Sequence, residues 1–254
     1  HWRKEPGRPS ETPPVPAGFD WDMWLGPREF RPYHPSYAPY IWRDWWAFGT
    51  GSLGNLAVHN LDGAVWALNL EHPASVEAVT TGGADSEVAA FGGIYTFQFK
   101  PRGDMPAVKV TWYDGGLRPP IPEGLDSDDP RQRLGEGGDG LLLVGDKGFI
   151  TCPSNSGTPR LLPLELHRSY KRPEPTLPRV KGHHADWLSA CKGGPAASSN
   201  FAYGARLTEL VLLGNVALRA GKKILWDAAA MRAVNAPEAD AFIKEECRKG
   251  WEIG

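Results

Sequence analysis

Residues 49–68 begin with a glycine-rich turn. After it, apolar and polar side chains separate onto two sides of a predicted helix. The apolar side consists of Leu53, Ala57, Leu61, Ala64, Val65 and Leu68. Because successive residues of a helix are rotated by roughly 100°, Asn55, His59, Asp62 and Trp66 fall together on the other side. These four residues, here called the polar stripe, are predicted to face away from the core, into solvent or into a cleft.

Periodicity and length predict the remaining regular elements. Strand-like runs lie at 75–82, 92–99, 107–115, 140–153 and 224–227, and the fourth contains a GDKG turn typical of a hairpin. Helical patterns lie at 183–192, 203–220 and 237–249. A helix, a meander of strands and then helices favour an α+β fold, with one open antiparallel β-sheet and its helices packed on one face.

The domain organisation follows from the distribution of proline and glycine. Prolines recur through residues 1–47 and predict an extended arm, since proline disfavours both helix interiors and central strands. Residues 48–254 are predicted to form a single α+β domain. Within it, residues 118–140 are rich in Gly, Pro and Asp and predict a mobile loop, which is long enough to serve as a functional flap or an interface segment.

The charge balance narrows the choice of partners. The chain has 28 Lys and Arg against 30 Asp and Glu, which gives no electrostatic footprint for nucleic acid or for an anionic membrane. A neutral small molecule is therefore a better candidate partner than a nucleic acid or an anionic membrane. No run approaches the roughly 18 apolar residues of a membrane-spanning helix, and the first residues lack the apolar block of a signal peptide. We therefore expect a soluble protein, cytoplasmic or periplasmic.

Aromatic residues are concentrated in the arm, where residues 21–46 hold five of the 11 tryptophans. Rigid rings interspersed with hydrogen-bond donors suit the faces of sugars. The substrate-binding candidates in this region are Tyr33, Trp42, Arg43 and Trp46, and at least one of them is expected near a partly buried His59. Alternatively, the large rings simply anchor an irregular arm.

The motif GHHADW at 182–187 adds His183, His184 and Asp186. With His59 it offers three histidines for a metal site, but adjacent histidines on a helix point about 100° apart and rarely bind one ion. We therefore predict no metal site and keep His183 as a substrate-binding candidate. The three cysteines are far apart without a CxxC pair, so they imply neither a disulfide scaffold nor a structural zinc site.

Six ordered stretches between about residues 10 and 253 resemble the C-terminal domain of bacterial Gfo/Idh/MocA family oxidoreductases, in the branch abundant in planctomycetes. They are FDWDMWLGP, RPYHPSYAPYIWRDWWAFGTGSLGNLAVHNLD, GLLLVGDKGFITCP, GHHADWLSACKGG, SNFAYGARLTELVLLGNVALRAGKKILWD and NAPEADAFIKEECRKGWEI. Complete members of that family carry an N-terminal Rossmann domain that binds NAD or NADP, and they act on sugars, cyclitols and their derivatives. No strand followed by a GxGxxG motif is present in this sequence.

This resemblance implies that the chain is the sugar-binding and oligomerisation part of an NAD(P)-dependent oxidoreductase. It implies a Rossmann domain on another polypeptide or in a missing N-terminal half, and no binding of NAD or NADP by this chain alone. The enzyme activity would then depend on that second half.

The family pattern G-x-L-x-D-x-x-x-H-x-x-D corresponds here to Gly51, Leu53, Asn55, His59 and Asp62. The resemblance implies that His59 accepts a proton from the substrate hydroxyl and that Asp62 is its catalytic partner. Asn55 stands where the family has an acid. Its amide can hydrogen-bond a sugar hydroxyl but cannot stabilise an imidazolium by charge.

Two other functions fit the residues. One is a free-standing domain that binds a carbohydrate or cleaves it without redox chemistry, by proton abstraction or metal-assisted hydrolysis. The other is a structural partner subunit. In each case a homo-oligomer is expected through the sheet, because alternating residues such as Tyr95, Phe97 and Phe99 need cover on a sheet with few helices.

Overall fold

The computed structural model describes residues 7–82, 84–126, 128–244 and 246–252. The chain divides into two compact units. Unit 1 comprises residues 1–58, 70–120 and 210–254, and unit 2 comprises residues 59–69 and 121–209. Two long helices, α2 (Gly51–Ala67) and α5 (Phe201–Ala220), have residues in both units.

The other elements are short. The remaining α-helices are α1 (Trp21–Leu25), α3 (Leu164–Ser169) and α4 (His183–Cys191), and 3-10 helices lie at Ile41–Asp44, Pro130–Gln132 and Pro237–Phe242. The strands are β1 (Ser75–Thr80), β2 (Gly93–Phe99), β3 (Val108–Tyr113), β4 (Leu141–Gly145), β5 (Gly148–Cys152), β6 (Arg160–Leu162), β7 (Ile224–Asp227) and β8 (Arg232–Ala233). None of the helices within the described ranges has the length and apolarity needed to cross a bilayer.

Unit 1 contains a five-stranded sheet in the order β3-β2-β1-β7-β8, and all its neighbouring strands are antiparallel. Val76 pairs with Phe97, and Phe97 pairs with Val110, so these three apolar residues share one face. Gly214 of α5 lies against Tyr95, Phe97 and the side chain of Leu53 from α2. Helices therefore cover one face of an antiparallel sheet, and the predicted α+β fold is confirmed.

The hairpin predicted at 140–153 exists, but it does not join that sheet. Strands β4, β5 and β6 form a separate three-stranded antiparallel sheet in unit 2. The expectation of one sheet is therefore wrong. Strand β6 was not predicted. It pairs with the edge of β5 that does not pair with β4, so the main-chain hydrogen bonds of β5 are made within this small sheet.

The helix predicted at 237–249 is also wrong. In the described part of that range, 237–244 and 246–249, the helical structure is limited to the 3-10 helix Pro237–Phe242. The Arg219 guanidinium lies 4.3 Å from the centroid of the Phe242 ring, and the main-chain N–H of Arg248 donates to the carbonyl of Pro27 at 2.9 Å. These tertiary contacts hold this segment in a path that a continuous helix would not follow.

The sheet face that was expected to need a partner is covered within the chain. Tyr95, Phe97 and Phe99 are all buried. The opposite face carries Val79 exposed beside half-buried Ile94. The reason given for an oligomer therefore does not hold for these three residues, while oligomerisation through the sheet stays a prediction.

Candidate functional site

Helix α2 presents the polar stripe as predicted. Ala57 and Leu61 are buried on one side of the helix, whereas Asn55 and Asp62 are half-buried and His59 is exposed. The expectation that His59 is partly buried is therefore wrong for this chain, because its side chain stands on the outward side of the helix. Trp66, at the end of the stripe, is also exposed.

The start of α2 is held in place by polar contacts inside unit 1. The side-chain amide of Asn215 donates to the carbonyl of Thr50 at 2.7 Å, and the hydroxyl of Ser52 donates to the Asp114 carboxylate at 2.9 Å. Gly51 has a φ of 63°, and a Cβ there would lie 2.7 Å from the Cβ of Ala89. Only glycine fits that left-handed and crowded position, which explains part of the glycine-rich turn.

Tyr203 is the functional candidate that sequence reasoning missed. Inside unit 2 its phenolic hydroxyl donates to the carboxylate of Asp62, and it also lies 3.3 Å from the main-chain oxygen of Asp62. Burial and the neighbouring carboxylate raise the pKa of Tyr203, so the phenol remains a donor at neutral pH. This hydrogen bond fixes the Asp62 side chain three residues after His59.

The segment that carries Tyr203 is itself capped. The side-chain oxygen of Asn200 accepts a hydrogen bond from the main-chain N–H of Tyr203 at 3.1 Å. Just upstream, Ser198 donates to the Asp186 carboxylate from its main-chain N–H at 2.8 Å and from its hydroxyl at 2.6 Å. These bonds lower the pKa of Asp186. The acid of the GHHADW motif therefore orders the entry into α5.

The aromatic candidates of the arm differ in their surroundings. The indole N–H of the buried Trp46 donates to the carbonyl of Asp85 at 3.1 Å, and the half-buried Tyr33 packs edge-on against Trp21 at 5.3 Å. Both contacts support the anchoring interpretation.

Two further candidates of the arm stack on each other. The Arg43 guanidinium lies 4.7 Å from the centroid of the half-buried Trp42 ring. The same guanidinium donates to the main-chain carbonyl of Tyr40 at 2.8 Å. A substrate-binding role for Trp42, Arg43, Tyr33 and Trp46 stays a prediction.

His183 is exposed at the start of α4, and its ring centroid lies 4.3 Å from that of His184. In the part of the chain that the structure describes, no group of three or more His, Cys, Asp or Glu side chains is arranged to hold a metal ion.

A separate cavity of about 300 Å³ lies in unit 1, at the ends of β1, β2 and β7. Its walls are formed by Glu71, His72, Pro73, Ala74, Phe99, Lys100, Pro101, Arg102 and Trp226. It contains no residue of the polar stripe, so it does not define the candidate site.

Comparison with known families identifies the matched part of the chain. A family model described as "Oxidoreductase family, C-terminal alpha/beta domain" matches residues 4–100. This model describes the C-terminal domain of Gfo/Idh/MocA oxidoreductases, and residues 4–100 are therefore similar to that domain. The match contains residues 4–47 of the arm, α2, β1 and β2, and thus every stripe residue and aromatic candidate. No curated protein matches the chain.

The resemblance inferred from the sequence motifs is confirmed for residues 4–100. The motifs beyond residue 100, including the one that contains Tyr203, lie outside the match, and their resemblance stays a prediction.

Proposed function

We propose that the chain is the substrate-binding part of an NAD(P)-dependent oxidoreductase that acts on a sugar, a cyclitol or a glycoside. Its cofactor domain would lie on another polypeptide or in a part of the protein outside this sequence. The observation that carries the proposal is the polar stripe, which lies inside the family match with Asp62 held by Tyr203. An exposed histidine on an anchored helix suits a site that is completed when a second domain closes over it.

The chemistry assigns each side chain a separate task. The nicotinamide, when bound by the second domain, supplies the hydride acceptor for the carbinol carbon. The imidazole of His59 takes the hydroxyl proton as the carbonyl forms, which is the role of a general base. Asp62 provides negative charge on the same helix face, where it favours the imidazolium that results.

Tyr203 and Asn55 are neutral side chains that orient the other groups and take no proton in the reaction. The Tyr203 hydroxyl occupies one side of the Asp62 carboxylate and restricts its rotamers, so that the other oxygen stays available to the site. The amide of Asn55 both donates and accepts, which suits a neutral polyol better than an anion. The near-balanced charge of the chain supports the same substrate class.

Oligomerisation is part of the proposal and belongs to the open face of the five-stranded sheet. Val79 is exposed there, and Ile94 pairs with it across the neighbouring strand. An apolar pair with one exposed member, on the face opposite the buried core residues, is the kind of surface that a second sheet covers. Val79→Lys should therefore reduce self-association through this face.

The decisive experiment is a turnover assay with the protein that contains both domains, using NAD and NADP with a panel of sugars and cyclitols. His59→Ala should lower kcat/KM by about 100-fold or more, the usual effect of losing a general base. Its melting temperature should stay at the wild-type value because His59 is exposed. His184→Ala, which removes an exposed histidine from α4, is the matched control and should retain activity.

Two outcomes would contradict the proposal. If His59→Ala turns over normally, the stripe is a solvated helix face. If a carbohydrate is converted without net reduction or oxidation of the nicotinamide, the protein is a non-redox enzyme. Intact-mass measurement of the native material, with a search for a second polypeptide, locates the cofactor domain.

A further inference from the structure

Residues 168–192 form an unusually exposed stretch in unit 2, here called the exposed segment. It runs from the end of α3 to just past α4, and every residue in it is exposed except the half-buried Asp186 and Ala190. Helix α4 has no buried residue. A nine-residue helix is marginal in water without tertiary packing. Helix α4 is thus a formed helix that lacks the burial by which tertiary packing usually stabilises a helix of this length.

Large apolar side chains occur along the exposed segment at short intervals. Their exposed fractions are 53% for Tyr170, 54% for Leu177, 52% for Val180, 60% for Trp187 and 47% for Leu188. A single exposed side chain of this kind is ordinary, but a succession of them marks a surface that another molecule covers. Trp and Tyr are also the residues most enriched at the centres of protein interfaces.

The conformation of the exposed segment is suited to docking. Prolines occupy positions 173, 175 and 178, and no helix or strand forms between Tyr170 and Gly182. Proline restricts the backbone to extended geometry before binding occurs. The entropy that the segment loses on docking is therefore reduced.

The net charges of two surface segments of the chain are complementary. The exposed segment holds six Lys and Arg against two Asp and Glu. Residues 123–139, here called the acidic loop, hold six Asp and Glu against two Arg. The two surfaces therefore carry opposite net charge of equal size.

The acidic loop keeps most of its negative charge available. Arg131 pairs with Asp129 at 2.8 Å and Arg133 pairs with Glu136 at 3.5 Å, which accounts for both of its basic residues. The other acids, Glu123, Asp126, Asp128 and Asp139, are all exposed. Among residues 7–82, 84–126, 128–244 and 246–252, no ion pair joins the acidic loop to the exposed segment.

From this complementarity we infer that the exposed segment of one copy of the chain docks on the acidic loop of a second copy. In a two-fold dimer the contact occurs twice, because each copy presents both surfaces. The apolar side chains, with Trp187 as the largest, supply the desolvated centre, and the charges supply orientation and rate of association. This interface is separate from the open sheet face and does not depend on the proposed reaction.

Charge reversal with restoration tests the inference in the complete polypeptide by sedimentation equilibrium. Lys171→Glu with Arg172→Glu should raise the dissociation constant of this contact at least tenfold, and Asp126→Lys with Asp128→Lys should do the same. All four substitutions together should return it to within about threefold of wild type, since they exchange the signs across the interface. Lys147→Glu with Lys223→Glu, two exposed lysines outside the segment, is the charge-matched control and should leave it unchanged.

Trp187→Ser provides a second route that does not depend on charge, and it should weaken the same association at high and low salt. Loss of the contact between the exposed segment and the acidic loop halves the number of copies in the assembly. This holds whether or not Val79→Lys also reduces that number, so a failure of the proposed sheet interface can be told apart from a failure of this one. A monomeric wild type at 100 µM overturns the inference. So do reversal variants that leave the assembly unchanged, as expected if the segment instead covers another domain of its own polypeptide.

Discussion

The phenolic hydroxyl of Tyr203 donates to the carboxylate of Asp62, although 141 positions separate the two residues in the sequence. The contact connects the outward face of α2 to the first turn of α5 within unit 2. It fixes the side chain of Asp62, which lies three residues after the exposed His59 on the same helix.

Tyr203 should make the stability of the protein sensitive to alkaline pH. Its folded-state pKa is raised by burial and by Asp62, so the neutral phenol contributes stability that is fully present below pH about 10, the unfolded value. That stability is lost as the pH rises above this value. In urea unfolding between pH 9 and 11, Tyr203→Phe should flatten the decline in unfolding free energy.

At pH 7 the same variant should cost about 1 kcal/mol for the lost hydrogen bond. Tyr170→Phe removes an exposed phenol and should keep the wild-type slope. Identical alkaline slopes for Tyr203→Phe and wild type would show that the hydroxyl titrates normally.

Two glycines of α5 should respond in opposite directions to alanine. A Cβ at Gly214 would overlap the Leu53 side chain and lie 3.2 Å from atoms of the Tyr95 and Phe97 rings, whereas a Cβ at Gly204 meets nothing within 4 Å. Gly214→Ala should lower the unfolding free energy by about 1–3 kcal/mol through overpacking.

Gly204→Ala should instead raise it by up to about 1 kcal/mol through helix propensity. Denaturant midpoints of the two variants measure the contrast directly. A stabilising Gly214→Ala would mean that the helix can move away from the sheet.

Glu87 pairs with two arginines that should differ in energetic weight. Arg31 is buried, lies 3.1 Å from Glu87 and stacks on the rings of Tyr37 and Phe48, whereas Arg8 is mostly solvated at 2.6 Å. Arg31→Met should cost about 2–4 kcal/mol, since it breaks a desolvated pair and a cation–π stack.

Arg8→Met should cost at most about 1 kcal/mol, as expected for an exposed ion pair. Thermal unfolding of the two variants in the same buffer makes the comparison. Equal losses would show that the burial of Arg31 adds nothing to the pair.

Asn55→Asp should raise kcat in the two-domain enzyme. The substitution restores the acid of the family pattern on the helix face of His59, where a negative charge favours the imidazolium formed in the reaction. Steady-state kinetics across pH 6–9 would detect the change, with Asn69→Asp as the control on an exposed position beyond α2. A fall in kcat would mean that the amide itself contacts the substrate.

Local sequence patterns were sufficient for the elements that build the sheet and its cover. The 3.6-residue repeat of α2 predicted which side is buried, because Ala57 and Leu61 pack inward while His59 remains outside. Period-two alternation likewise predicted β2, in which Tyr95 and Phe97 share the core face. Such patterns can be recognised in a sequence because the side of an element to which a residue belongs follows from its position along that element.

Tertiary structure alone decided which elements pair and which side chains meet. The β4–β5 hairpin was visible in the sequence, but its membership of a second sheet depends on β6, a strand of three residues with too short a pattern to recognise. Pro237–Phe242 stops as a 3-10 helix because contacts with distant residues outweigh local helix propensity. Tyr203 meets Asp62 for the same reason: the contact depends on the path of the intervening chain, and no spacing in the sequence records that path.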